Sequence, residues 1–205
     1  MKLRYISLFF ITLGMTAVSH AGIIDIQSNN AASSNEDSFG GFVGTMSYDW
    51  SATGMSTLSF ELENISQFDG YLTGIAFDDS FGDWSFNLGD SSGISLDWQN
   101  LEGPIDVQPF GSRDFGASSS DSWMGGGTPG GGLAAGETGT FVFTSANAAN
   151  VTARDFFNNA SSVFRFRGFT NGASDKLPGQ IVVVPAPGAL AVICLACFVG
   201  SRRRR

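Results

Sequence analysis

Short runs in which apolar and polar residues alternate constrain this chain more than any other feature. Leu58, Phe60 and Leu62 alternate with Ser59, Glu61 and Glu63. Successive side chains of a strand point to opposite faces, so this spacing predicts a strand over 55–65 with one wet face. The period recurs in Tyr71, Thr73, Ile75 and Phe77, in Trp84, Phe86 and Leu88, and in Ile94, Leu96 and Trp98. It recurs again in Phe141 and Phe143, and in Phe164 and Phe166 set against Arg165 and Arg167. Residues 42–50 read as a further strand, and Ile23, Ile24 and Ile26 as a first one. Gly, Asn, Asp and Ser separate the runs. The pattern predicts an all-β fold, an antiparallel β-sandwich (jelly-roll-like or Ig-like) or a barrel. Two segments break it. Residues 125–136 are rich in glycine and read as a long mobile loop or crossover. Residues 146–159 lack alternation and read as a short helix before the last strands.

The two ends carry addresses. Lys2 and Arg4 precede an apolar core over 6–18, and Ser19-His20-Ala21 supplies small residues for a peptidase. This is the pattern of a secretory signal peptide over 1–21, a signal helix cut between Ala21 and Gly22. A retained anchor would need a longer apolar core. At the other end, Val184-Pro185-Ala186-Pro187-Gly188 leads into an apolar run over 189–200, then Ser201, Arg202, Arg203, Arg204 and Arg205. The run is shorter than the ~17–25 residues of a spanning helix. Pro185 and Pro187 keep the upstream segment extended, so a hydrophobic helix is expected only after Pro187. The arginines resist translocation. Such a chain pauses in the membrane, transiently anchored, with its bulk outside.

The residues from Val184 to Leu190, the apolar run and the terminal arginines resemble the PEP-CTERM sorting signals of Gram-negative bacteria, which exosortases process. Ala186 stands where the name-giving pattern has glutamate. The resemblance implies export, cleavage near Pro185-Ala186-Pro187, and release to the cell surface or exopolysaccharide matrix. An ordinary uncleaved tail anchor is the alternative. The body also resembles a recurrent ectodomain of exported PEP-CTERM proteins. The resemblance rests on Tyr71-Leu72-Thr73-Gly74-Ile75-Ala76-Phe77, on the glycine-rich stretch leading to Gly139-Thr140-Phe141-Val142-Phe143, and on the segment from Phe164 to Lys176. That group has no established activity to carry over. The resulting organisation is a signal peptide over 1–21, a β ectodomain over 22–180 and a sorting signal over 181–205.

With the ends removed, composition becomes informative. All 19 acidic residues lie between Asp25 and Asp175, against five basic ones, Arg113, Arg154, Arg165, Arg167 and Lys176, a balance of −14. Such a body repels nucleic acid and anionic lipid. Both cysteines, Cys194 and Cys197, lie in the terminal apolar run, so no disulfide framework can hold the body. His20, the single histidine, belongs to the signal peptide. Ser-His-Asp and Cys-His catalysis are therefore excluded in the exported body, and the usual zinc ligands are missing from it.

Several residues invite a chemical reading. Asp78, Asp79, Asp83 and Asp90 fall close together on turns and can be read as oxygen ligands for calcium, although the spacing is not that of an EF-hand. Aspartates also populate turns for backbone reasons alone. Trp123, beside the glycine-rich loop, is the tryptophan expected to be exposed and able to meet a sugar ring. Trp84 and Trp98 share a register with core residues and should face inward. Arg165 and Arg167 are expected to pair with local acids, and Asp175 to accept bonds from Lys176 or a loop amide. Glu61, Glu63, Glu102 and Glu137 are raw material for a glycosidase, but nothing in their spacing makes a pair and the first two point outward. The sequon at Asn64-Ile65-Ser66 reads as unmodified. The expectation is a structural or adhesive exported protein, not an enzyme and with no cofactor. Its partners would be signal peptidase, an exosortase-type enzyme and exopolysaccharide. A polysaccharide- or calcium-binding module is the alternative, and a glycoside hydrolase a second one.

Overall fold

The computed structural model describes residues 22–35, 39–78, 81–120, 123 and 129–182. The expected helices over 1–21 and 189–200 lie outside these residues. Among the described residues, no helix is long and apolar enough to cross a membrane. The strands are β1 (Gly22–Ser28), β2 (Phe42–Asp49), β3 (Ser56–Asn64), β4 (Tyr71–Phe77), β5 (Ser85–Phe86), β6 (Gln99–Asp106), β7 (Ser112–Ser118), β8 (Thr138–Ser145), β9 (Val163–Arg167) and β10 (Asp175–Ile181), with α1 (Ala153–Asn159) between β8 and β9. They form one ten-stranded sheet in the order β5-β8-β3-β2-β1-β10-β9-β4-β7-β6. The ladders are antiparallel. The sheet curls back on itself until its edges approach: the Phe86 N–H on β5 donates to Asn100 Oδ1 on β6 at 2.7 Å. The all-β expectation therefore holds, in a nearly barrel-shaped form.

Alternation places the core. On β3, Leu58, Phe60 and Leu62 are fully buried, while Glu61 and Glu63 are exposed. Facing them across the interior come Phe77 and Phe115 from β4 and β7, and Phe164 and Phe166 from β9. Phe77 is the meeting point. Its ring stacks on Phe60 at 4.8 Å and on Phe115 at 5.3 Å, and meets Phe143 and Phe164 edge-on at 5.8 and 6.2 Å. Such pairs contribute about 0.5–1.5 kcal/mol each beyond the area they bury. Trp84 and Trp98 join this core, as their register predicts.

Four expectations need correction. The run Ile94-Leu96-Trp98 is not a strand: Trp98 is in the core, but Leu96 is 86% exposed. Gly93 lies at φ +69°, where an added Cβ would come within 2.6 Å of Thr138 O, and Ser95 and Asp97 bond each other locally, so the backbone turns instead of extending. The run Trp84-Phe86-Leu88 shrinks to the two residues of β5. On β4, a register shift between Leu72 and Gly74 changes which residues share a face, so Leu72 joins Ile75 and Phe77 in the core in place of Tyr71 and Thr73. Finally, the far part of the glycine-rich stretch is tied down. Leu133 is buried and exchanges two backbone hydrogen bonds with Leu72, both at 2.9 Å. Gly132 permits this approach, since a Cβ there would lie 2.7 Å from Leu72 O.

Helix α1 forms where the non-alternating segment predicts. Thr152 caps it by accepting from the Asp155 N–H at 3.1 Å. Phe156 and Phe157 carry it onto the core. Its approach is pinned twice: Trp50 Nε1 donates to Ala148 O at 3.0 Å, and the Tyr48 hydroxyl donates to Ala149 O. Burial pushes the Tyr48 phenol up to about 12.

Two outcomes follow from this packing. Phe77→Ala should lower the unfolding free energy by about 3–5 kcal/mol, against less than about 1.5 for a volume-conserving apolar swap elsewhere in the core, as read by urea denaturation. The Tyr48 contribution is complete below the ordinary tyrosine pKa of about 10 and is lost as pH rises through about 12. Stability should therefore fall across that window in the wild type, and Tyr48→Phe should remove that component of the slope.

Candidate functional site

Two buried polar side chains organise one end of the sheet, where the β1–β2, β3–β4 and β9–β10 loops meet. Asn64 closes β3 on the inward parity of Leu58, Phe60 and Leu62, and is fully buried. Its amide donates to Gly70 O at 2.8 Å and to Leu133 O at 2.7 Å, and its Oδ1 accepts from the Ser66 N–H and hydroxyl. Every polar atom of the side chain is thus used. This sequon is a structural hub, not a free acceptor.

Asp175, at the start of β10, is equally buried. Its carboxylate accepts from the Ser33 hydroxyl at 2.6 Å, the Ser34 hydroxyl at 3.3 Å, the Gly40 N–H at 3.1 Å and the Lys176 N–H at 2.8 Å. A buried carboxylate is tolerable only with such a donor set. It binds the long β1–β2 connection to the last strand. The structural role expected for Asp175 is what the geometry gives it. The same end holds a tight turn, Gln67 to Gly70, whose Phe68 and Asp69 lie at φ +54° and +55°. Phe68 is 48% exposed and packs edge-on against Phe39 at 5.1 Å.

The residues singled out from sequence do not converge. Asp78 is half-buried, with Arg113 Nη1 3.6 Å from its Oδ1. Asp83 is exposed and accepts from Asn147 Nδ2 at 2.6 Å. Asp90 is exposed and accepts from Asn87 Nδ2 at 2.7 Å. Asp79 lies outside the described residues. Each of the three described aspartates serves a different local partner, and among the described residues no three acidic, histidine or cysteine side chains come close enough to hold a metal ion. Of the processing residues, Gly22 begins β1, opposite Tyr48. Ala21, Val184, Pro185, Ala186, Pro187, Gly188 and Arg202 to Arg205 lie outside the described residues.

Trp123 overturns the expectation of exposure: it is only 4% exposed. It lies on the outer face of the sheet, over Gly74 of β4, where a Cβ would come within 2.7 Å of the indole ring. A second apolar cluster gathers there from Ala76, Leu101, Ile105, Val107, Trp123 and Val163. The reason is compositional: the central strands carry small and apolar residues on this face too, so the face needs a cover. A loop tryptophan supplies it. Trp123 therefore presents no open platform to a sugar ring.

The same face corrects the view of Arg165, which pairs with no acid among the described residues. Arg165 is 8% exposed, its Nε has no hydrogen-bond partner, and its guanidinium carbon lies 6.0 Å from the centre of the Trp123 ring. Its partner across the ladder is Lys176. Burial, and then repulsion by Arg167, push the guanidinium down to about 10. Burial and Arg165 push Lys176 down as well, against Asp106 and Asp175, which favour its charge. Lys176 Nζ donates to Gln108 O at 2.6 Å. A tryptophan face returns about 0.5–2 kcal/mol to a cation, less than the several kcal/mol that burying a charge costs.

Depressions elsewhere among the described residues are open to solvent. One of about 380 Å³ is lined by Arg113, Asn158, Ser161 and Gln180 among others. There Arg113 bonds main chain, donating to Ser161 O at 2.6 Å and Phe110 O at 2.9 Å, besides its approach to Asp78.

Comparison with known proteins finds no matching family model, no matching curated protein and no matching solved structure.

The buried Asp175 gives a sharp test. Asp175→Ala leaves the Gly40 N–H and two hydroxyls without their acceptor, and should cost about 2–4 kcal/mol by chemical denaturation. Hydrogen exchange should show the β1–β2 connection opening first. Unchanged protection of Gly40 would contradict the latch.

Proposed function

We propose that this chain is an exported surface or matrix protein with a structural or adhesive role, sorted by a PEP-CTERM, exosortase-type system. The observation that carries the reading is the pair of sequence signals, which flank an all-β body whose described residues lie between 22 and 182. Strand β1 begins at Gly22, the first residue after the expected signal-peptide cut. Strand β10 ends at Ile181, and Val182 makes a last backbone bond to Asp25 O at 2.9 Å, just ahead of Val184-Pro185-Ala186-Pro187-Gly188. Both cuts therefore spare every described strand. The cysteine-free, strongly acidic body agrees with a domain that leans on core packing and stays soluble outside the cell.

We read the curled sheet as a sandwich of two leaves, β5-β8-β3-β2-β1 and β10-β9-β4-β7-β6. A side chain, not a backbone ladder, bridges β5 and β6 at Phe86 and Asn100, which favours two leaves over a closed barrel. Stacking of a sugar ring on the face of Trp123 and a calcium site on Asp78, Asp83 and Asp90 have no support among the described residues, and Asp79 lies outside them.

Intact-mass measurement of the secreted protein tests the proposal. The expected species starts at Gly22 and ends near the Pro185-Ala186-Pro187 motif. A secreted species still ending at Arg205 would overturn it.

A further inference from the structure

Among the described residues, Arg165 is a buried charge with an incomplete set of partners. It is more than nine-tenths buried, and its Nε–H is unpartnered. The indole Nε1–H of Trp123, whose ring lies against the guanidinium, is likewise buried without an acceptor. Both orphan donors belong to side chains that meet on the outer face of β9 and β4, with the guanidinium carbon 6.0 Å from the ring centre. The charges around Arg165 are also of the wrong sign. Lys176 is its ladder partner, and Arg167 follows two residues on, on the same face of β9.

The contrast with the rest of the body makes this unusual. Of five cations among 19 carboxylates, three stand together here. Lys176 has the Gln108 carbonyl and the influence of Asp106 and Asp175. Arg113 has main-chain acceptors and Asp78. Arg165 has the face of Trp123, which accepts no N–H bond from Nε in this arrangement. A buried guanidinium with a free fork nitrogen and cationic neighbours is chemically a receptor for a planar, multi-oxygen anion.

We propose that Arg165, with Lys176 beside it and the Trp123 indole N–H, forms a subsite for an oxyanion, of the kind a uronic-acid carboxylate or a sulfate presents. The anion supplies the acceptors that both orphan donors lack and neutralises a cluster that otherwise repels itself. The strongly acidic balance of the surrounding body also favours a single anionic group at this basic cluster over a polyanion as dense as nucleic acid. The inference does not depend on how the chain is exported.

The test is a nitrogen–proton correlation titration of the purified chain, following the Arg165 Nε–H and Trp123 Nε1–H signals. Sulfate, glucuronate, an oligouronate and neutral maltotriose are compared with chloride at matched ionic strength. Both signals should move saturably with sulfate and glucuronate, and not with maltotriose. Tighter binding of the oligouronate identifies the carboxylate of an acidic polysaccharide as the source. Equal affinity for oligouronate, glucuronate and sulfate identifies a free anion. Lys176→Gln should weaken binding about tenfold, and Lys176→Arg should restore it. Arg165→Gln should abolish it. If that variant does not fold, the Lys176 pair still decides the matter. Shifts that chloride reproduces, or that Lys176→Gln leaves unchanged, would overturn the subsite and leave the cluster a purely structural one.

Discussion

The contact between Phe77 and its four aromatic neighbours is what the rest of the structure depends on. The described body has no cysteine with which to staple itself, so the two halves of its sheet are held by what they bury between them. Phe77 from β4 touches rings from β3, β7, β8 and β9, drawn from both halves. Chain segments far apart in sequence are thus committed at once, and hydrophobic burial takes over the part that crosslinks play in many exported domains. The curl of the sheet follows, since a flat sheet of ten strands could not bring these rings together.

Polar hubs finish what the core begins. Asn64 and Asp175 stand at inward positions where a further apolar residue would be expected from parity, and each is saturated by loop main chain and hydroxyls. A buried polar group satisfied in this way fixes one arrangement of the loops and penalises others. Asp175 holds the β1–β2 connection against β10, and Asn64 holds the β3–β4 turn against Leu133. The two side chains thus tie the loops of one end together, while Arg165, on the outer face, keeps a buried Nε–H without a hydrogen-bond partner.

Much of this was legible in the chain. The strands with strict alternation, β3 above all, appear where expected and with the expected faces, and α1 appears where alternation stops. Asn64 could have been found by extending the parity of Leu58, Phe60 and Leu62 by one step. Strands β6 and β7 were not legible. Gln99-Asn100-Leu101-Glu102-Gly103-Pro104-Ile105-Asp106 has no clean period, and its Gly-Pro pair reads as loop. The ladder is irregular between Glu102 and Ile105, at an edge strand, where proline is tolerated. The turn over 93–97 was misjudged for the opposite reason: its alternation is real, but local side-chain bonds and a glycine in left-handed conformation turn the backbone.

The sequence by itself determined the things that backbone geometry makes local: strand identity, which residues face inward, and the lack of any cysteine between Gly22 and Val184 with which to form a crosslink. Side-chain direction in a strand depends only on parity, so neighbours in sequence suffice to read it. The tertiary structure alone decided which segments meet. It buried Trp123 against the outer face of the sheet, gave Asp78, Asp83 and Asp90 three different partners on either side of β5, and set Arg165 beside two other cations. Each of those outcomes depends on pairing between strands distant in the chain, and such pairing is chosen by the whole core at once and not by any stretch of it.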